Sequence, residues 1–215
     1  MKLKLSTTKT VSAAFHLNNK ETKRELKVNY EKKTLPFFPE PEYLGVTLDR
    51  SLTYRRHLES LHKKLTSRVS LLRRLAGSCW CAGATTVRIA TIALVHSTSG
   101  YCSPVWCHSA HTGLIEPTIN DAFRIVTGCL RPTQADNLSI LAGIQPAELR
   151  RSGATLSLAR LAMEPEHLLH LTLTRPASTD ARRLKSRHPY VPSAQQLISL
   201  SYNNNIQAAH WSDNQ

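Results

Sequence analysis

Hydrophobic residues recur every three or four positions between residues 53 and 76, and this pattern predicts a helix of about six turns. The apolar positions are Leu58, Leu61, Leu65, Val69 and Leu72. At about 100° per residue they lie on one side of the helix, so that side is expected to face a core. Gly77 follows and is expected to end the helix.

More helices are predicted downstream of this one, and short strands upstream of it. Helical spacing bounded by Gly or Pro predicts helices at residues 84–99, 115–130, 135–142 and 146–163. Short apolar runs, with prolines between the last two, predict strands at residues 10–16, 25–31 and 43–48. Strands that precede helices in this way indicate an α+β fold and argue against a parallel βαβ sheet.

The same pattern divides the chain into four parts. They are a β-rich part at 1–49, basic helices at 53–100, a second helical region at 101–164, and a weakly structured basic and polar tail at 165–215. Periodicity fades in the tail, and residues 177–215 are predicted to be mostly disordered.

The charge of the chain indicates which class of partner it binds. The 215 residues include 28 Lys and Arg but 15 Asp and Glu, for a net charge of +13 and a pI of about 9.9. Such an excess favours a polyanion, with nucleic acid first, although a basic soluble domain without such a partner stays an alternative. The start of the chain does not resemble a secretory signal, and no apolar run could cross a bilayer, so we expect an intracellular protein with no membrane partner.

The predicted helix at 53–76 concentrates this charge. Arg56, Lys63 and Arg74 fall opposite the apolar stripe and span about 27 Å. Four further cations flank them, namely Arg55, Lys64, Arg68 and Arg73. The alternative is an ordinary solvated face, but such faces usually mix signs, whereas Glu59 is the one acidic residue from 50 to 74. We therefore predict that these seven cations bind nucleic-acid phosphates.

Other chemistry is not indicated. The cysteines, an odd number, are Cys79, Cys81, Cys102, Cys107 and Cys129. Their spacing, even with His108 and His111, does not match a zinc site, so reduced thiols are expected, with Cys102, Trp106 and Cys107 packed beneath the helix that carries Leu94. Phosphate-binding loops, nucleophile elbows and clustered carboxylates are absent from the sequence, so neither a metal nor another cofactor is predicted. Asp49 and Asp121 are isolated, and an aspartate just before a helix is typical of a cap.

Five short motifs, in one order, resemble non-LTR (LINE, jockey-like) retrotransposon reverse transcriptases. They are KLSTTKT at 4–10, YLGVTLD at 43–49, YCSPVW at 101–106, NDAFR at 120–124 and LAGIQP at 141–146. The resemblance covers about residues 4–164. It implies the part of an RNA-directed DNA polymerase that lies downstream of the catalytic aspartates.

This resemblance also assigns roles to segments. It implies the end of the palm near His16, with Lys9 matching a lysine that assists departure of pyrophosphate. It implies a primer grip at Tyr43, Leu44, Gly45 and Val46. Gly45 would suit close approach to nucleic acid or, alternatively, a bulge or a packing contact. The helices at 53–99 would form the thumb, which holds a template-primer duplex of any sequence.

Three functional hypotheses follow from this resemblance. In the first, the chain binds duplex or RNA/DNA hybrid without catalysing polymerisation on its own. In the second, it completes a polymerase by associating with another chain that carries the catalytic aspartates. In the third, it is a retrotransposon remnant without a selected activity.

Overall fold

The computed structural model describes residues 6, 9–16, 25–30, 33–77 and 82–171. Short strands come first and helices afterwards, so the predicted α+β order is confirmed. Residues 172–215, which include the segment predicted to be disordered, lie outside the described residues. In the part of the chain that is described, none of the helices combines the length and the apolarity that crossing a bilayer requires.

The strands are shorter than predicted. Strands β1 (Asn29–Tyr30) and β2 (Lys33–Thr34) form one antiparallel pair, and β3 (Glu42–Tyr43) and β4 (Val46–Thr47) form another. The predicted strand at 10–16 is wrong, because that segment makes only an isolated parallel bridge between Ser12 and Phe37. Prolines lack the N–H group that a ladder needs, and those at 36 and 39 flank the bridge.

The predicted continuous strand at 43–48 is also wrong, because it turns back on itself. Leu44 and Gly45 have φ angles of 48° and 78°, and they form the two-residue turn of the β3–β4 hairpin. Positive φ at both central positions gives a turn whose twist matches the flanking strands, and glycine adopts it without steric cost. Gly45 is therefore a turn glycine.

Helix α1 (Arg55–Leu75) confirms the prediction for 53–76. All five predicted apolar positions are buried and form one side of the core. The loop before α1 is held by the buried carboxylate of Asp49, which accepts hydrogen bonds from the backbone N–H groups of Thr53 (3.0 Å) and Tyr54 (2.6 Å). Because Leu52 and Tyr54 have φ angles of 52° and 59°, this carboxylate stabilises a backbone that non-glycine residues rarely adopt. Asp49 thus caps the loop that precedes α1.

The predicted helix at 84–99 is present, with an irregular middle. It consists of α2 (Ala84–Thr91), a π turn (Ile92–His96) and α3 (Ser97–Gly100). In the π turn the Ser97 N–H donates to the Ile92 carbonyl, five residues back. The helix therefore accommodates one more residue in this turn than an α-helix would.

A buried tryptophan ends the first of the remaining helices. Helix α4 (Ser103–Trp106) is followed by α5 (Glu116–Thr127), α6 (Ala135–Ala142) and α7 (Ala147–Ala162), and the last three agree with the predicted helices to within three residues. Trp106 is fully buried, and its indole N–H donates to the Tyr101 carbonyl at 3.1 Å. One core joins the hairpin, α1 and the later helices.

Candidate nucleic-acid interface

The side of α1 that faces away from the core forms an exposed ridge of cations and serines. Arg56, Lys63 and Arg74 are exposed, as predicted. Serines occupy the intervening positions at the same three-and-four spacing, and sequence reasoning missed them. We call the whole set the α1 ridge: Arg56, Ser60, Lys63, Ser67, Ser70 and Arg74. Hydroxyls are short phosphate ligands, so a polyanion could approach the helix closely between the longer cations.

Ion pairs involve the first turn of the ridge. The Arg55 side chain pairs with Glu59 at 3.0 Å, and Arg56 pairs with Glu59 at 3.5 Å and with Glu40 at 3.2 Å. Hydrogen bonding from Arg55 is the main reason why the pKa of Glu59 is lowered. All four side chains are at least 36% exposed, and exposed pairs of this kind exchange readily for other partners. Glu40 lies on a loop 16 residues before Arg56, so helical spacing gave no sign of it.

Arg68 differs from the other predicted cations. It is half-buried, and its guanidinium donates to the Leu94 carbonyl at 3.0 Å. Thr98 Oγ1 donates to the same carbonyl at 2.8 Å. Arg68 therefore links α1 to the π turn, whereas Lys63, Lys64, Arg73 and Arg74 are exposed and have no ion-pair partner within the described ranges.

Cationic clefts lie at both ends of α1. The first has a volume of about 410 Å³, and its charged lining consists of three arginines, Arg50, Arg55 and Arg56, and two carboxylates, Glu40 and Asp49, beside His111. The second has a volume of about 470 Å³ and is lined by arginines of three segments, Arg73, Arg124 and Arg131. Asp121 neutralises one of these, because it pairs with Arg124 at 3.1 Å. The clefts extend the positive surface beyond the ridge, and sequence periodicity could not place the arginines from outside α1.

The tip of the β3–β4 hairpin contacts the helical layer. Tyr43 and Leu44 are 68% and 70% exposed, whereas Val46 is buried in the core. The Tyr101 hydroxyl donates to the Leu44 carbonyl at 2.9 Å. A Cβ atom on Gly45 would lie 3.3 Å from Tyr101 Cε1. The motifs at 43–49 and 101–106 are thus in direct contact, although 57 residues separate the two bonded groups.

The hairpin also contacts α1. The Thr47 N–H donates to His57 Nδ1 at 3.4 Å. Burial, and then the charge of Lys64, lower the pKa of His57, which keeps the ring neutral and able to accept this hydrogen bond. Hydrogen bonds to His57 and Tyr101 therefore hold the hairpin that carries the exposed side chains of Tyr43 and Leu44.

Two of the cysteines in the sequence, Cys102 and Cys107, lie on either side of Trp106 along the chain. Cys102 packs against the core, and Cys107 Sγ lies 3.2 Å from Thr155 Oγ1. Burial is the main cause of the raised pKa of Cys107. Trp106 and Cys102 therefore belong to the same core as Leu94, as expected, whereas Cys107 contacts α7. No group of three or more potential metal ligands occurs within the described ranges, and residues 79–81 lie outside them.

The sequence of this chain is similar to those of two known proteins. Over 163 aligned residues, 68% of this chain, it is 30% identical to a Retrovirus-related Pol polyprotein from type-1 retrotransposable element R1 4 of Nasonia vitripennis. Over 149 residues, 67% of this chain, it is 26% identical to a 115 kDa protein of type-1 retrotransposable element R1DM of Drosophila melanogaster. The chain has a distant similarity to type-1 retrotransposon Pol polyproteins. Neither a family model nor a solved structure matches it.

This relation confirms the coarse part of the resemblance, which is a link to non-LTR retrotransposon Pol polyproteins. The matched region spans 42% of the first relative and 14% of the second. The thumb and the primer grip stay predictions for this chain, as does phosphate binding by the cations of α1.

Proposed function

We propose that this chain binds duplex or hybrid nucleic acid through the α1 ridge, independently of sequence. The observation that carries the proposal is the alignment of Arg56, Lys63 and Arg74 with three serines on one exposed face. At about 27 Å, this face is long enough to follow several phosphates, which recur about every 3.4 Å of duplex axis on each strand. Cations and hydroxyls that contact phosphates position a duplex without reading its bases.

The flanks of the ridge support the same proposal. Lys64 and Arg73 extend the positive surface on either side, and the two clefts continue it past both ends of α1. Arg55 can join once it is released from Glu59, since an exposed ion pair costs little to break. Arg68 contributes by fixing α1 against the π turn.

The hairpin tip would act as the primer grip in this proposal. Tyr43 and Leu44 are exposed side chains on a backbone that Tyr101 holds, and an exposed tyrosine ring can stack on a base or pack on a sugar. This role rests on the resemblance of the motif at 43–49 together with the exposure of its tip.

Salt-dependent binding tests the ridge. Binding of a duplex by the whole chain should weaken with salt at a slope of log K against log salt of about −3 to −5, from about −0.9 per neutralised phosphate. Replacing Arg56, Lys63 and Arg74 by glutamine should flatten this slope by up to about 3 units. Glutamine is a good helix former, so the helix content measured by circular dichroism should not change.

Two controls separate the ridge from net charge and from folding. Replacing Arg182, Lys185 and Arg187 by glutamine also removes three positive charges, at positions outside the described residues. This variant should keep most of the salt dependence. Leu65→Ala alters the opposite, buried side of α1 and should cost about 2 to 5 kcal/mol in the free energy of unfolding. The proposal is wrong if the ridge variant keeps the wild-type affinity and slope.

A further inference from the structure

A small cavity of about 90 Å³ lies between α3, α4 and α7, apart from the α1 ridge. Its polar lining comes from four elements. The residues that matter are His96 at the end of the π turn, Ser103 at the start of α4, and Arg150 and Arg151 in α7. His96, Ser103 and Arg151 are 1%, 1% and 6% exposed, so three polar side chains converge in a nearly dry space.

Each of these three side chains has a buried atom without a hydrogen-bond partner among the described residues. The atoms are His96 Nε2, Ser103 Oγ and Arg151 Nη1. Buried polar groups in proteins are nearly always paired, and three exceptions around one cavity indicate that the cavity accommodates a polar guest.

Surrounding contacts fix two of these side chains, His96 and Arg151. The His96 ring stacks on Phe123, with 5.4 Å between the ring centres. The Arg151 guanidinium lies 5.9 Å from the centre of the Trp106 ring, and its Nη2 donates to Glu116. The other arm of the guanidinium, Nη1, is therefore held at the cavity, so that the donors are in place before a guest arrives.

The electrostatics favour an anion. Glu116 pairs with Arg151, but Arg150 adds a second positive charge at the cavity, and α7 begins beside it at Ala147, so the positive end of its dipole adds to the field. Burial, followed by the charges of Arg150 and Arg151, lowers the pKa of His96 to about 4. At neutral pH the ring is uncharged and can donate a hydrogen bond from Nε2 while leaving the local charge positive.

We propose that this cavity binds one small tetrahedral oxyanion of the phosphate or sulfate class. Arg151 and Ser103 donate to its oxygens, His96 Nε2 donates a third hydrogen bond, and Arg150 closes the mouth. The volume corresponds to about three water molecules at roughly 30 Å³ each, which is the size class of such an ion. The oxyanion is either a free ion or a phosphate of a bound nucleic acid, and the two sources share this chemistry.

Inorganic phosphate is the probe for the full chain, at constant ionic strength. NMR signals of the His96 ring should shift in a saturable way, and the pKa of His96 should rise because the bound anion stabilises the protonated ring. Calorimetry should give one site per chain. Ser103→Ala and Arg150→Gln each remove one contact and should weaken phosphate binding by roughly tenfold. Arg150 is exposed, so that variant is expected to fold even if Ser103→Ala does not.

Controls distinguish the cavity from the ridge and identify the source of the anion. Lys27→Gln removes an exposed charge elsewhere, and the triple glutamine ridge variant changes α1; both should bind phosphate as the wild type does. Duplex that displaces phosphate from His96 identifies a nucleic-acid phosphate as the guest, whereas duplex that leaves His96 unchanged identifies a free ion. If phosphate causes no saturable shift at His96, or if Ser103→Ala and Arg150→Gln bind it with unchanged affinity, the cavity holds water alone and the proposal is overturned.

Discussion

Asp49 shows how one carboxylate can determine the local backbone. It accepts hydrogen bonds from Ser51 and Thr53 hydroxyls at 3.1 and 2.6 Å, in addition to the two backbone donors. Asp49→Ala would leave the buried Tyr54 N–H unpaired and should lower the free energy of unfolding by about 2 to 4 kcal/mol in urea titrations. Asp136→Ala, in the exposed first turn of α6, should cost less than about 1 kcal/mol. Equal effects of the two substitutions would contradict the capping role.

His96 should make the stability of the chain depend on pH. Its pKa of about 4 in the folded state lies below the value of about 6.5 for an unfolded histidine, so the unfolded chain binds more protons between these values. Stability is therefore lost as pH falls from about 6.5 to about 4, by about 3 kcal/mol for this residue. His96→Gln should flatten unfolding free energies measured across this window, although His57 contributes in the same direction. An unchanged pH profile in His96→Gln would show that the ring is solvated.

At the scale of elements, the hairpin turn and a helix make opposite demands on glycine. Gly45→Ala should destabilise by about 1 to 2 kcal/mol, because φ is positive and the new Cβ would meet the Tyr101 ring. Gly153→Ala lies inside α7 with open space around it and should stabilise by about 0.5 to 1 kcal/mol. Thermal unfolding of the two variants checks both signs. A neutral Gly45→Ala would mean that the turn is not held as described.

The helices could be predicted from the sequence because their signals are local. The apolar stripe of α1 lies within that helix, and the glycine that indicates the end of α6 follows it directly. The hairpin was missed because residues 43–48 have strand-like composition, whereas the turn is evident from the positive φ angles of Leu44 and Gly45. Tertiary contacts bring Glu40 to Arg56, and Arg124 into the same cleft as Arg73. Helical spacing therefore predicted the cations of the ridge but neither their ion pairs nor the clefts.

At the scale of the whole molecule, no three metal-ligating side chains come together within the described residues, and three of the carboxylates there have structural partners. Asp49 caps a loop, Asp121 pairs with Arg124, and Glu116 pairs with Arg151. Nucleotide polymerisation uses clustered carboxylates that hold two metal ions. We therefore expect the purified chain to bind a primer-template without extending it in a primer-extension assay with Mg²⁺ or Mn²⁺. Template-dependent incorporation that survives in Leu65→Ala preparations would point to a contaminant, whereas incorporation lost with folding would contradict the expectation.

The π turn has a consequence for how this chain aligns with its relatives. A turn that contains one extra residue is equivalent to a one-residue insertion into an α-helix, and it rotates all later positions by about 100°. Without it, His96 and Ser99 would turn together by about 100° relative to α2. A relative in which this whole segment is a regular α-helix should lack one residue here, and its alignment gap should fall between Ile92 and His96. The sequence alone would allow that gap anywhere from 84 to 100.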